Sequence, residues 1–330
     1  MKFTHVIGMD MAKENYVLSI HDFKFTKEFE NTPKAIRKML KTLSKLLGVT
    51  LTECLFCFEH TGIYSMAMMV ELEKQGLPFA VVSGLAIKKS LGITRGKSDR
   101  IDAQKIAEYA FFRQAKLRLF KFPSEALMQL EHLLSLRSVH VRNRAGYQAR
   151  MKEQFSVLKK THYPELFQSQ KRMIKHLTKE IEKIELRINQ IIETDQEINK
   201  CYALLTTITG VGSVTAWQMI VKTQCFKRFS NWRKFACYCG TAPFPNESGT
   251  MKKRARISKI GDGDMKSLLT LAARSAMLHD IELKMFCERK LKQGKSKKNV
   301  TNAVRNKLLA RMFSVVKRGT PYVELYKFAS

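Results

Sequence analysis

Four acidic residues in the first third of the chain have the types and placement that metal-assisted chemistry on phosphate needs. Asp10 and Glu59 each end a short apolar segment that reads as a buried strand, and Asp99 and Asp102 lie three residues apart at a predicted helix start. Carboxylates that converge on one point repel each other unless a cation binds between them. The set therefore predicts a site for two Mg²⁺ or Mn²⁺ ions that clamp a phosphodiester and activate the attacking oxygen.

Each of these acids also has an ordinary structural interpretation. A single Asp at a strand end is commonly a cap or a salt-bridge partner, and Asp99 could simply cap the following helix. The combination of four such residues in a strongly basic chain is what favours a metal site.

The charge of the chain points to a polyanionic partner. Among 330 residues there are 59 Lys and Arg against 29 Asp and Glu, a formal net charge of +30. This excess is far larger than solubility requires and favours nucleic acid. Charge alone fits a nucleic-acid-binding protein without catalytic activity equally well, so that alternative stays open.

Composition limits the other classes. The chain is 45% hydrophobic and 27% charged, which is typical of a globular protein, and no uncharged apolar run is long enough to span a membrane. Charged residues interrupt the opening segment where a signal peptide needs an apolar core. Seven scattered cysteines suit a reducing compartment and do not favour structural zinc. We expect a cytoplasmic, nucleoid-associated protein.

The apolar pattern predicts an α/β region that positions the acids. Strands over 5–10 and 16–21 form a hairpin, and further strands cover 55–59 and 79–82. Helices over 33–47, 64–75 and 99–112 alternate with them, which indicates a mixed sheet. This is the first of three predicted domains, at 1–122.

From residue 123 the pattern becomes helical. Two long amphipathic helices, broken at 162–164, predict an antiparallel coiled coil over 123–200, acting either as an intramolecular strut or as a dimer contact. A mainly α-helical C-terminal domain covers 201–330. Near its start, Gly210 and Gly212 in a Gly-Val-Gly turn predict a helix-hairpin-helix that contacts the DNA backbone, with a plain glycine-capped turn as the alternative.

Several segments together resemble a known family. They are Glu-His-Thr-Gly-Ile-Tyr (59–64), Gly-Lys-Ser-Asp-Arg-Ile-Asp-Ala (96–103), Gly-Thr-Ala-Pro (240–243), Ser-Gly (248–249) and Ile-Ser-Lys-Ile-Gly (257–261). The chain is similar to the DEDD transposases of insertion-sequence family one-ten, which are related to Piv-type DNA invertases. The resemblance covers nearly the whole chain and departs at Ser83-Gly84, where the family has Asn-Pro.

The resemblance implies a RuvC-like N-terminal domain of the ribonuclease H fold and recombination through a serine nucleophile. Ser248 would attack the scissile phosphate and hold the DNA as a phosphoserine, although from the residues alone it is a loop serine. Basic residues near the two sites are expected to contact nucleic acid or stabilise the phosphorane: Lys97, Arg100, Lys252, Lys253, Arg254, Arg256 and Lys259.

The same resemblance implies the partners. They are donor and target DNA, a structured guide (bridge) RNA that reads sequence by base pairing, and further copies of the chain in a homodimer or homotetramer. The rival enzyme is a RuvC-like junction-resolving endonuclease, which uses the same acids with water as the nucleophile and leaves Ser248 idle.

Overall fold

The computed structural model describes residues 3–90, 98–248 and 251–324, and only the backbone of Ser248 and of residues 251–254. The chain divides into two compact units between Phe122 and Pro123. In the described part of the first unit the strands and helices are β1 (His5–Met11), β2 (Asn15–Ile20), β3 (Thr26–Glu30), α1 (Pro33–Leu47), β4 (Cys54–Glu59), α2 (Met66–Lys74), β5 (Phe79–Val82), α3 (Gly84–Ser90) and α4 (Asp99–Arg113).

The first unit is built around a five-stranded mixed sheet of order β3-β2-β1-β4-β5. The first three strands are antiparallel neighbours, and β4 and β5 run parallel to β1. The predicted α/β fold with a mixed sheet is confirmed. Strand β3 and helix α3 were not predicted, because β3 is mostly exposed and α3 is only seven residues long.

Helices cover both faces of this sheet. Alternate residues of β1 point to opposite sides, so Ile7 packs with Ile36 and Met39 of α1, whereas Val6 packs with Ile106 of α4. Thr32 caps the start of helix α1, where its hydroxyl accepts from the Ala35 amide at 3.2 Å, and the helix ends before Gly48 at φ 63°. The result is a helix-sheet-helix sandwich with central strands buried on both sides.

The second unit is mostly helical. Its described elements are α5 (Glu125–Val157), α6 (Pro164–Thr194), α7 (Gln196–Thr206), α8 (Ser213–Thr223), α9 (Trp232–Tyr238), β6 (Pro243–Ser248), β7 (Met251–Ile257), α10 (Gly263–His279), α11 (Ile281–Lys292) and α12 (Lys297–Arg318).

Helices α5 and α6 form an antiparallel pair. Arg137 bonds to Glu185 at 2.6 Å near one end, and Phe155 stacks on Phe167 near the other. The second predicted helix was expected to continue past Asp195, but this residue accepts from the amide of Ile198 at 3.0 Å and begins α7. The coiled-coil assignment and the three-domain division stay predictions. No helix of the described ranges has both the length and the apolar character needed to cross a membrane.

Candidate functional site

Two of the four acids lie on neighbouring parallel strands. The ladder between β1 and β4 ends at the pair Met9 and Phe58, so Asp10 and Glu59 are the next residues on their strands. Both acids are partly exposed, whereas the strand residues behind them are buried. Apolar burial thus fixes the two strands and leaves their last carboxylates accessible at one end of the sheet.

Gly8 brings helix α4 against β1. A Cβ at this position would overlap the backbone of both Ala103 and Ala107. Only glycine allows helix and strand to approach this closely without displacement. Gly8 lies two residues before Asp10, so the tight contact is made beside the predicted site.

Helix α4 runs antiparallel to β1. The ring of Phe111, near its C-terminus, contacts the ring of His21 at 4.0 Å between centroids, and the amide of His21 donates to the carbonyl of Val6 near the start of β1. The helix passes Gly8 midway, so its first turn, with Asp99 and Asp102, lies towards the end of β1 that carries Asp10. Three separate elements therefore bring the predicted acids to the same end of the sheet.

The first turn of α4 is well capped. The Ser98 hydroxyl accepts from the Ile101 amide at 3.3 Å, so the capping role that Asp99 could have had belongs to Ser98. Asp99 is exposed, and Asp102 forms an ion pair with Lys105 at 3.0 Å. Asp99 is thus not needed as the helix cap.

The Glu59 carboxylate lies directly over Gly84. A Cβ at Gly84 would overlap the side-chain carboxylate of Glu59. Gly84 begins α3, two residues after the end of β5. The missing side chain is what gives the Glu59 carboxylate its present place.

All four acids offer oxygen ligands, which are the donors that Mg²⁺ and Mn²⁺ prefer. Their chemistry and their common end of the sheet fit such ions. Within the residues that the structure describes, however, no three Asp, Glu, His or Cys side chains lie close enough together to hold a metal. Binding of a cation would therefore have to draw these side chains together.

Ser248 lies at the end of a two-stranded hairpin, and not in a loop as its sequence context suggests. It is the last residue of β6 and pairs with Met251 of β7. The register shifts between Phe244 and Asn246, which accommodates Pro245 at a bulge where no ladder hydrogen bond is needed. The side chains of residues 243–247 are exposed, so this part of β6 lies outside the apolar core of its unit.

The base of this hairpin is held tightly. A Cβ at Gly261 would lie 2.7 Å from the amide nitrogen of Gly240, so the two ends of the hairpin meet backbone to backbone. The Thr241 carbonyl accepts from the side-chain amides of Asn302 at 2.9 Å and Asn306 at 3.1 Å, both on α12. Sequence reasoning missed these two asparagines, because nothing in the sequence marks their partner, which is a backbone carbonyl.

The Gly-Val-Gly turn joins α7 to α8. Gly210 has φ +90°, and a Cβ there would lie 2.7 Å from the Ala272 carbonyl of α10. Packing against α10 is thus one reason for this glycine, whereas a Cβ at Gly212 would meet nothing within 4 Å. Gly212 leaves the start of α8 open to a ligand, and the helix-hairpin-helix assignment stays a prediction.

The predicted basic contacts are distributed over both units. Arg100 is exposed on the first turn of α4, and Arg256 and Lys259 are exposed at and beyond the end of β7. Three more, Lys252, Lys253 and Arg254, belong to β7, where only their backbone is described. Lys97 lies outside the described residues.

Comparison with known proteins gives matches along most of the chain. Residues 7–162 match a family described as a transposase, of the DEDD type of IS110. Residues 202–288 match the family described as Transposase IS116/IS110/IS902.

Individual proteins and a solved structure are also similar to this chain. The pilin gene-inverting protein of Moraxella bovis is 28% identical over 72% of this chain and 71% of its own. The transposase for insertion sequence element IS1111A of Coxiella burnetii is 22% identical over 84% of this chain and 79% of its own. A solved RuvC structure from Thermus thermophilus, in complex with a Holliday junction substrate, matches 35% of this chain and 99% of its own at 13% identity, with a TM-score of 0.28.

Proposed function

The chain belongs to the IS110 family of transposases, and from that premise we propose that it cuts and rejoins DNA through an acidic metal site and a serine nucleophile. That it is an enzyme of DNA transposition and recombination follows from the family. The finer mechanism rests on one observation: strands β1 and β4 and helix α4 bring Asp10, Glu59, Asp99 and Asp102 to one end of the sheet.

The four carboxylates would hold two Mg²⁺ or Mn²⁺ ions. When bound, such ions supply Lewis-acid stabilisation of the charge that develops on the phosphate. The chain's own contribution is to place the carboxylates. The buried strands fix Asp10 and Glu59, and the close contact at Gly8 fixes the helix that carries the other two acids.

Ser248 would supply the nucleophile. Its hydroxyl oxygen forms a bond to phosphorus as the bond to the leaving DNA oxygen breaks, and the hydroxyl proton is lost as the departing oxygen gains one. Rejoining reverses these changes with a different DNA end. The position of Ser248 at the end of an exposed hairpin, followed by the basic strand β7, supports this role.

The remaining partners follow from charge and family. We propose that donor DNA, target DNA and a guide RNA account for the net charge of +30. Arg100, Arg256 and Lys259 would contact phosphates, and the turn at Gly212 would approach a DNA backbone. A homodimer or homotetramer could combine acidic site and serine from different copies.

The decisive test traps a covalent protein-DNA adduct. Full-length protein is incubated with Mg²⁺, a plasmid carrying the element's ends and RNA transcribed from its non-coding end, and adducts are resolved on a denaturing gel. Wild type is expected to give an adduct that Ser248→Ala and Asp10→Asn abolish. Ser267→Ala, which removes an exposed hydroxyl of α10, should leave the adduct unchanged.

The same experiment separates the rival functions. Full strand cleavage by Ser248→Ala, together with no adduct in wild type, would establish the junction-resolving endonuclease instead. If Asp10→Asn and Asp102→Ala leave every DNA transaction unchanged, the acids are structural and the protein only binds nucleic acid.

A further inference from the structure

Asn31 connects the two loops that follow the acid-bearing strands. Its side-chain amide nitrogen donates to the carbonyl of Ala12 at 2.9 Å and to the carbonyl of Tyr64 at 2.7 Å. Ala12 comes two residues after Asp10, directly beyond β1. Tyr64 lies in the short 3-10 turn Gly62–Ser65 that follows Glu59. One amide group thus spans the chain segments beyond both predicted metal ligands.

The position of this bridge matters because the strand ladder stops short of the acids. The pairing of β1 with β4 ends at Met9 and Phe58, and beyond it Asp10 pairs with Val17 of β2 and Glu59 with Val82 of β5. Each acid is therefore paired with the strand on its outer side, which is β2 for Asp10 and β5 for Glu59. Beyond the end of the ladder, Asn31 connects the two segments by hydrogen bonds.

The chemistry of the bridge requires a side-chain amide. Two carbonyl oxygens face one nitrogen, and a primary amide offers two N–H donors to them. The opposite amide orientation would set an oxygen against two carbonyl oxygens, so the partners fix the orientation. Asn31 itself is anchored, because its backbone amide donates to the Glu14 carbonyl at 2.7 Å. Aspartate in its place would lose both donors.

The side-chain oxygen of Asn31 has an energetic cost for the fold. Its side-chain oxygen is buried without a hydrogen-bond partner in the described part of the chain. A buried acceptor left unsatisfied costs about 1–3 kcal/mol. The folded unit thus accepts an unsatisfied acceptor at the residue whose amide nitrogen bonds to both loops.

We propose that Asn31 is a positioning residue of the acidic site, which sets the separation of Asp10 and Glu59 and thereby the affinity for divalent cations. The inference rests on the proposed function, since it takes these acids as metal ligands. Residues outside the ligand set that orient the ligands commonly change metal affinity by about 10–100-fold when replaced. Because Asn31 acts through loop backbones, we expect the lower end of this range.

The test measures Mn²⁺ binding directly, by the electron paramagnetic resonance signal of the free ion, in full-length protein without DNA. Asn31→Ala is expected to weaken binding, which raises the dissociation constant for Mn²⁺ about tenfold. The matched control is Asn15→Ala, which removes an amide of the same unit that donates to Glu28 at 2.9 Å and bridges no loops. The control should keep the wild-type dissociation constant.

The readouts separate positioning from folding. Unfolded protein lowers the number of sites without changing the dissociation constant of the folded molecules, so a variant that is partly unfolded still yields an answer. An unchanged dissociation constant in Asn31→Ala, with or without a lower number of sites, overturns the proposal. If wild type binds no Mn²⁺, or binds it equally well after Asp10→Asn, then the acidic metal site itself fails.

Discussion

The two predicted parts of the catalytic machinery are held in place by different forces. The acids sit at the ends of buried strands and on a helix packed against one of them, so apolar burial positions them. Ser248 ends an exposed hairpin whose base is held by two close glycines and by the amides of Asn302 and Asn306. Close packing is the larger influence at the acids, to which Asn31 adds one polar bridge, whereas the hairpin depends more on a few polar contacts at its base.

This difference has a consequence for how each part tolerates change. Close packing transmits any added volume to the backbone, because interiors have almost no spare space. Polar contacts at one carbonyl can instead substitute for each other until the last is lost. We therefore expect added volume at Gly8 to damage the acidic site severely, and the hairpin to lose most when both of its amide donors are removed together.

The largest effect is expected at Gly8. In Gly8→Ala the added methyl overlaps the backbone of Ala103 and Ala107, so helix α4 must shift or the unit must unfold. We expect the free energy of unfolding to fall by about 3 kcal/mol or more, at the upper end of overpacking effects. Urea denaturation followed by circular dichroism measures it.

The matched control for Gly8→Ala is a glycine substitution that is expected to raise stability. Gly146 lies within α5, and a Cβ there would meet nothing within 4 Å. Gly146→Ala should therefore raise stability by about 0.5–1 kcal/mol through helix propensity alone. Equal stability of Gly8→Ala and wild type would show that the strand and helix are not closely packed at this point.

Sequence predicted the packed region better than the polar one. The strands under Asp10 and Glu59 were found because runs of buried apolar residues are visible in a single sequence. Ser248 was placed in a loop, because Pro243 and Pro245 signal a break and the bulge that accommodates the second of them is set by tertiary pairing.

The polar contacts could not have been predicted. Asn31 and Asn302 donate to backbone carbonyls that are distant in sequence and carry no side-chain signature. The second long helix was expected to continue past Asp195, although an Asp followed by Glu197 is also compatible with a helix start. Spacing shows which residues can do chemistry, whereas the contacts that hold them depend on the folded chain.

A double-mutant cycle measures how the two amide contacts at the base of the hairpin depend on each other. Asn302→Ala and Asn306→Ala each leave the Thr241 carbonyl with one amide donor, so each should cost about 1 kcal/mol. The double variant leaves the carbonyl without either donor. Its free energy of unfolding should fall by about 1 kcal/mol more than the sum of the two single decreases. Urea denaturation of the four proteins provides the measurement, and strict additivity would mean that the two amides act independently.

The smallest effect concerns Asp102, which has a cation beside it. Lys105 lies 3.0 Å from Asp102 on the first turns of α4, so its ammonium group competes with a divalent ion for that carboxylate. Two unit charges about 4 Å apart interact by roughly 1 kcal/mol even in water. Lys105→Met should therefore tighten Mn²⁺ binding about fivefold, which corresponds to roughly 1 kcal/mol.

Stability should change little in the same variant, because a partly exposed ion pair contributes about 0–1 kcal/mol. Lys183→Met removes the equivalent partner of Glu180 on α6, at 2.8 Å and the same spacing, and should leave Mn²⁺ binding unchanged. Weaker binding in Lys105→Met would mean that the lysine supports the metal site, by holding Asp102 in place, and does not compete with the ion. The sign of this shift thus shows whether Lys105 competes with the ion for Asp102 or holds that carboxylate in place, as the amides of Asn302 and Asn306 hold the base of the hairpin.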